Sequence, residues 1–426
     1  MKSHNQKQKR TQRRPARGTK NTQRFSLRCL CVFATLRESF FRLPLLLVIC
    51  FALVHFACKM NINEPVEAPK GSWDASLNTH PKGAAFQQLL DDYVKRGLPG
   101  LVMFVKSPEG MWNGAAGYAR LETRERMTPM HLHHAASIAK TYTATAIMML
   151  VDEGKIVVDA KINAYLPRKI TDKIGNGNEA TVRHLLNHTS GIRDWQNDEI
   201  KSEIDFGNDP YGAYPPERLL EYISGKPAHF PPGSQARYSN TNYLLLALIM
   251  DHVLGESQAG FVSKRIIKHL GLENTYYKNE PGYPRPPGLV NSYEDAFGNG
   301  TLRNITDLAI QSIKRYWGHA GYIASSHDYA RFIEALFNGE LVSAVSLQEM
   351  MPRDGGYYGF GLYFHFTPYG RGIGHNGGGP ETQTHRHYYP DSKTTLVLLT
   401  NAGNQGKPGK LFFGALIDDA VKTIFQ

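Results

Sequence analysis

The distribution of apolar and polar positions predicts one body of alternating strand and helix signals after residue 80. Residues 87–96 form an amphipathic helix pattern stopped by Gly97 and Pro99. Strand patterns follow over 101–106 and 114–118. Residues 141–152 make a dense apolar helix closed by Gly154, and 181–186 open a shorter one. A further apolar helix spans 243–253 and ends at Gly255. Residues 275–317 are rich in Gly, Pro, Asn and Tyr and read as irregular. A helix over 329–337 ends near Gly339. Segments 384–389 and 394–400 alternate like two antiparallel strands joined at Pro390-Asp391, and 411–424 is a last helix. Strands at both ends with helices between predict an α+β domain. One antiparallel β-sheet is flanked by helices, with a helical subdomain between residues 150 and 327.

The first 60 residues differ from the rest. They hold 13 Lys and Arg against a single acid, Glu38, so they carry +12 of the chain's formal +11; the remainder is −1. The basic character therefore belongs to the tail, and the rest has no basic footprint for nucleic acid. Within the tail a basic stretch precedes the apolar run 43–57. That run is short of the roughly 20 residues of a membrane span and suits the apolar region of a signal peptide or an anchor. Ala57-Cys58 at its end resembles a bacterial lipoprotein cleavage site, making Cys58 the candidate for lipidation. These features predict export to the cell envelope, membrane-anchored or periplasmic. Residues 61–80, polar with Pro65 and Pro69, read as a linker, and 81–426 as one domain. All four cysteines lie in the tail, so the domain has no disulfide, thiolate metal site or cysteine nucleophile.

Candidate chemistry begins at Ser137-Ile138-Ala139-Lys140. A Ser-x-x-Lys alone is a weak motif. Here it opens an apolar helix, placing Lys140 one turn from Ser137 on the same face, with the helix dipole favouring a developing alkoxide. A lysine acts as a base only if burial or a neighbouring cation lowers it from its reference value of about 10.4. The second element is Tyr238-Ser239-Asn240. Residues two apart in extended chain point the same way, so a phenol able to relay a proton and an amide for a substrate carbonyl can face one cleft. The third is Gly374-His375-Asn376-Gly377-Gly378-Gly379, where glycines admit close backbone approach. His375 could supply a proton or a positive charge, and the Gly378 amide could join that of Ser137 in an oxyanion hole. His385 and His387 share one face of a strand and, with His131, His133 and His134, are candidates either for zinc ligands or for a place along the cleft or surface. Gly-x-Ser-x-Gly does not occur, and Gly406-Lys407 is followed by Pro408, so neither a nucleophile elbow nor a Walker motif is present.

The order Ser-x-x-Lys, Tyr-x-Asn, His-x-Gly resembles the serine β-lactamase and penicillin-binding family. The branch containing class C β-lactamases, D-alanyl-D-alanine carboxypeptidases, D-aminopeptidases and related esterases is the most similar. Leu185-Leu186-Asn187-His188-Thr189-Ser190-Gly191-Ile192, Pro232-Gly233 and Gly321-Tyr322-Ile323-Ala324-Ser325-Ser326 agree, and the resemblance runs from about Phe86 to Gln426. It implies an acyl-enzyme on Ser137, with Lys140 and Tyr238 handling its proton. Asn240, His375 and Gly377 would bind substrate, and Gly378 would lie in the oxyanion hole. Neither cofactor nor metal is implied; the partner is a small-molecule or peptide substrate (D-peptide, ester or β-lactam). β-Lactamases of this branch usually carry lysine where this chain has His375, which weakens the fixed charge for an antibiotic carboxylate. The expectation is a D-alanyl-D-alanine carboxypeptidase, D-peptidase or esterase, with a class C-like β-lactamase or a non-turnover penicillin-binding sensor as alternatives.

Overall fold

A computed structural model describes residues 67–426 except 279, 354, 355, 357, 404 and 405, and without the side chains of 406–411. The basic tail, its signal or anchor segment and Cys58 lie outside the described residues. Among the described residues no helix is long and apolar enough to cross a membrane.

Seven antiparallel strands form the central sheet. They are β1 (Gly100–Ser107), β2 (Gly110–Arg120), β3 (Glu125–Arg126), β4 (Tyr363–Thr367), β5 (Gly370–Gly378), β6 (Gln383–Tyr389) and β7 (Thr394–Thr400). Their spatial order is β3-β2-β1-β7-β6-β5-β4, so strands from the two ends of the chain meet at the β1–β7 pair. Leu101 lies opposite Thr400 and Lys106 opposite Thr395. Both strands are apolar on both faces, which requires cover on each side. Leu101, Met103, Val105, Leu396 and Leu398 pack under α1 (Gly83–Lys95) and the C-terminal helix Gly406–Phe425. Val102, Phe104, Val397 and Leu399 face the larger core built by the intervening helices. Fully burying one such side chain contributes about 1.5–3 kcal/mol.

The helix predicted over 141–152 is α2 (Ala139–Asp152), buried at every position from Ala139 to Leu150. Its position at the centre of the molecule explains a composition that is apolar on all sides rather than striped. α3 (Asn240–Leu254) is similarly buried and ends on the left-handed Gly255. α4 (Thr306–Lys314) and α5 (Ser326–Phe337) follow. The segment read as irregular therefore contains a helix, with Ala309, Ile310 and Ile313 buried along one side. The described part of the expected linker, residues 67–80, packs on the domain. Trp73 rests against the core, and the His80 amide bonds the Met111 carbonyl.

Strand β5 was not visible as apolar alternation. Its sequence, Gly-Arg-Gly-Ile-Gly-His-Asn-Gly-Gly, is a strand because β4 and β6 flank it. A Cβ on Gly374 would collide with the Arg386 carbonyl, so the close strand spacing depends on the missing side chain.

Candidate active site

Ser137 sits in a short 3-10 turn, Ala136–Ile138, that runs directly into α2. Ala136 has φ +45°, an unusual value for a residue with a Cβ. The turn is held by neighbours: the Ala135 amide bonds the Tyr322 carbonyl, and Thr384 Oγ1 and Arg386 Nη2 on β6 donate to the carbonyls of Ala135 and Ile138. Such strain persists only where surrounding structure fixes it.

Lys140, one turn on, is fully buried. Its Nζ donates to Ser137 Oγ at 3.1 Å, to Asn240 Oδ1 at 2.8 Å and to the His319 carbonyl at 3.2 Å. Burial pushes its ammonium down to about 7, against an upward pull from Asp194. A lysine with that value is about half neutral at pH 7 and can accept a hydroxyl proton. Asp194 is itself buried. It accepts from the Asn240 and Gln196 amides (3.0 Å each) and from Asn197 Nδ2 (2.6 Å), and so fixes the start of α3 against Lys140.

Tyr238 and Asn240 flank the extended Ser239 and line one cavity of about 170 Å³ together with Ser137 and Gly378. The Lys140 ammonium lies 4.6 Å from the centre of the Tyr238 ring. Tyr238 is 40% exposed and also borders a second cavity of about 350 Å³. Its surroundings push the phenol well above the ordinary tyrosine range, with a hydrogen bond to Ser137 opposing. The phenol therefore stays protonated at neutral pH. Lys140, lowered to about 7, is the group beside it that can take up a proton. His188, at φ +60°, packs 4.3 Å from the Tyr238 ring, and its Nδ1 accepts from the Ser239 amide.

His375 is placed differently from the expectation. It is 3% exposed and does not line the cavity at Ser137. Nδ1 donates to the Asn376 carbonyl, which leaves Nε2 to accept from Tyr358 Oη at 2.8 Å. Burial, then the nearby Lys140, lowers it to about 3. Its ring is held neutral near pH 7, and its contacts tie β5 to Tyr358. Gly377 has a packing role: a Cβ there would collide with Thr384 Oγ1 and come within 2.6 Å of the Ala135 carbonyl. Gly378 borders the cavity with open space above its Cα.

His385 and His387 are fully buried, not on the cleft or surface, and stack with ring centres 4.2 Å apart. No metal-holding group of three His, Cys, Asp or Glu occurs among the described residues.

Several cavity residues were not read from the sequence: Gln196, Asn197, Tyr316, His319 and Glu381. Gln196 Oε1 accepts from Asn240 Nδ2 at 3.3 Å. Only Glu381 carried a signal, an acid placed in a glycine-rich segment close to His375.

A family model described as Beta-lactamase matches residues 86–413. The chain belongs to the beta-lactamase family. It is a serine hydrolase of that family, with penicillin-binding proteins and D-aminopeptidases among its relatives. The putative penicillin-binding protein PbpX of Bacillus subtilis is 28% identical over 327 residues, 76% of either chain. A D-aminopeptidase of Brucella anthropi is 28% identical over 313 residues, which cover 72% of this chain but 56% of that one. Among solved structures, a D-stereospecific amidohydrolase from Streptomyces sp. has a TM-score of 0.66 at 28% identity, covering 78% of this chain and 97% of that one. The D-amino acid amidase of Ochrobactrum anthropi SV3, complexed with L-phenylalanine amide, has a TM-score of 0.68 at 23% identity, covering 80% and 97%; its likeness shows the shared fold.

Proposed function

We propose that this beta-lactamase-family hydrolase cleaves D-amino-acid amides, D-peptides or small esters through an acyl-enzyme on Ser137. The observation that carries the reading is the 3.1 Å contact from a fully buried Lys140 to Ser137 Oγ, with the lysine held near 7. Ser137 Oγ attacks the substrate carbonyl as its proton passes to Lys140 Nζ. The oxyanion is received by the Ser137 and Gly378 amides, donors each typically worth about 10²–10³ in rate. Tyr238 Oη, beside Ser137, relays the proton from Lys140 to the departing amine or alkoxide. Water then attacks the ester by the same route in reverse.

Two features favour D-amides and esters over β-lactams. The relatives include D-aminopeptidases and a D-stereospecific amidohydrolase. Among the described residues, no lysine or arginine other than the buried Lys140 that contacts Ser137 lines the cavity, so an antibiotic's carboxylate finds no separate fixed cation there. Placement in the cell envelope, read from residues 1–60, belongs to the same proposal; loss of lipid labelling in Cys58→Ala tests it.

The test is a hydrolysis panel on the purified enzyme with D-alanine p-nitroanilide, a D-alanyl-D-alanine peptide, p-nitrophenyl acetate and nitrocefin, with Ser137→Ala alongside. Turnover of a D-substrate or the ester that vanishes in Ser137→Ala supports the reading. Efficient nitrocefin turnover, or a stoichiometric burst without steady release, overturns it.

A further inference from the structure

The cavity holding Ser137 contains an acid that the proposed acyl-transfer steps do not use. Glu381 lines it, 3% exposed, on the segment that follows β5. Its carboxylate lies over Gly379, where a Cβ would stand 2.5 Å from Oε2, one residue from the Gly378 amide. It forms no ion pair among the described residues. The cation nearest in effect, Arg315, directs its Nη2 to both oxygens of Glu203 at 3.3 Å. Burial lifts the Glu381 carboxyl to about 6, against the opposing pull of its own backbone amide and of Arg315 and with Glu203 and Glu294 adding to the rise.

A carboxylate with no ion-pair partner among the described residues, beside an oxyanion hole, opposes the chemistry when it is ionised, because two negative charges repel strongly in a shielded cavity. The conflict disappears if the substrate brings a positive charge to this position. An amide or peptide with a free α-amino group does so, since its ammonium lies one carbon from the reacting carbonyl. The geometry points to Glu381 as the group that receives the α-ammonium of the residue being acylated, restricting efficient turnover to substrates with an unblocked amino terminus. The inference rests on the acyl-enzyme reading above and adds which end of the substrate is recognised. It also separates this site from one built for a C-terminal carboxylate, which Glu381 would repel.

The test compares kcat/KM for D-alanine p-nitroanilide with that for N-acetyl-D-alanine p-nitroanilide in wild type, Glu381→Gln and Glu381→Asp. A fluorophosphonate label on Ser137 counts folded sites in each preparation. A hydrogen bond to a charged partner corresponds to a preference for the free amine of about 10- to 100-fold in wild type. The preference is expected to fall to roughly threefold or less in Glu381→Gln and to survive in part in Glu381→Asp. Equal or better turnover of the acetylated anilide by wild type overturns the inference, as does an unchanged preference in Glu381→Gln. If Glu381→Gln does not fold, the wild-type ratio and its reduction in Glu381→Asp decide. Ser137-dependent hydrolysis of p-nitrophenyl acetate without any amine preference removes this inference alone. Absence of Ser137-dependent turnover of every substrate removes the acyl-enzyme reading and this inference with it.

Discussion

Replacing Lys140 by methionine separates the chemical and the energetic consequences of burying an amine. At its ordinary value of about 10.4, roughly one lysine in 2,500 is neutral at pH 7; at about 7, half are. Burial thus raises the neutral fraction at Lys140 about a thousandfold. In wild type, kcat/KM for p-nitrophenyl acetate should climb about tenfold per pH unit up to pH 7 and then level. Lys140→Met should lose about 10²–10⁴ of that rate and the acid limb with it. Stability carries a second signature. The folded value lies below the unfolded one, so between pH 7 and 10.4 the unfolded chain holds a proton that the folded chain does not. The resulting penalty on folding is greatest at and below pH 7, about 5 kcal/mol, and fades as pH rises. Methionine removes that penalty but leaves Asn240 Oδ1 and the His319 carbonyl without their donor, a cost that does not vary with pH. The stability of Lys140→Met relative to wild type should therefore fall by about 4 kcal/mol between pH 7 and pH 10. Urea unfolding at several pH values measures it. A flat difference across that range, or an acid limb far from 7, would refute the assignment of Lys140 as the buried base.

Three further outcomes follow from the same geometry. Asp194→Asn keeps an acceptor for the Asn240 amide but removes the charge that holds Lys140 up, so the acid limb of kcat/KM should move to lower pH; an upward move contradicts the coupling. Gly377→Ala drives a methyl into Thr384 Oγ1 and the Ala135 carbonyl. It should cost about 1–3 kcal/mol in denaturant unfolding and slow fluorophosphonate labelling of Ser137, whereas labelling at the wild-type rate would detach β5 from the nucleophile turn. Burial lowers His133 and His375 to about 3 and His134 to about 4. Their unfolded forms take up protons first, so stability is complete above about pH 6.5 and declines below it by up to about 1.4 kcal/mol per group and pH unit. A Tm that stays constant from pH 7 to 4.5 excludes this.

Elements whose burial is uniform were plain in the sequence. The helix through Thr141 and the strand through Leu396 are apolar runs because neighbours cover them completely. α4 was hidden because the surrounding 275–317 is dominated by turn residues, although Ala309, Ile310 and Ile313 follow helical spacing. β5 had no local signal, since its register comes from flanking strands and its glycines from crowding. In the site, Ser137 and Lys140 were readable as one helical turn. Tyr238 and Asn240, about a hundred residues away, entered through motif order.

By itself, the sequence determined which side chains are candidates for chemistry and the helix turn that aligns Ser137 with Lys140, because those depend on covalent identity and local backbone geometry. Only the tertiary structure decided their protonation and use. Lys140 is lowered to about 7 and His375 to about 3 because of what buries them. The same holds for Glu381, which shares the cavity of Ser137 through a chain reversal more than 240 residues away. The physical reason is that desolvation and charge–charge energies depend on three-dimensional distance and burial, which no local stretch of chain encodes.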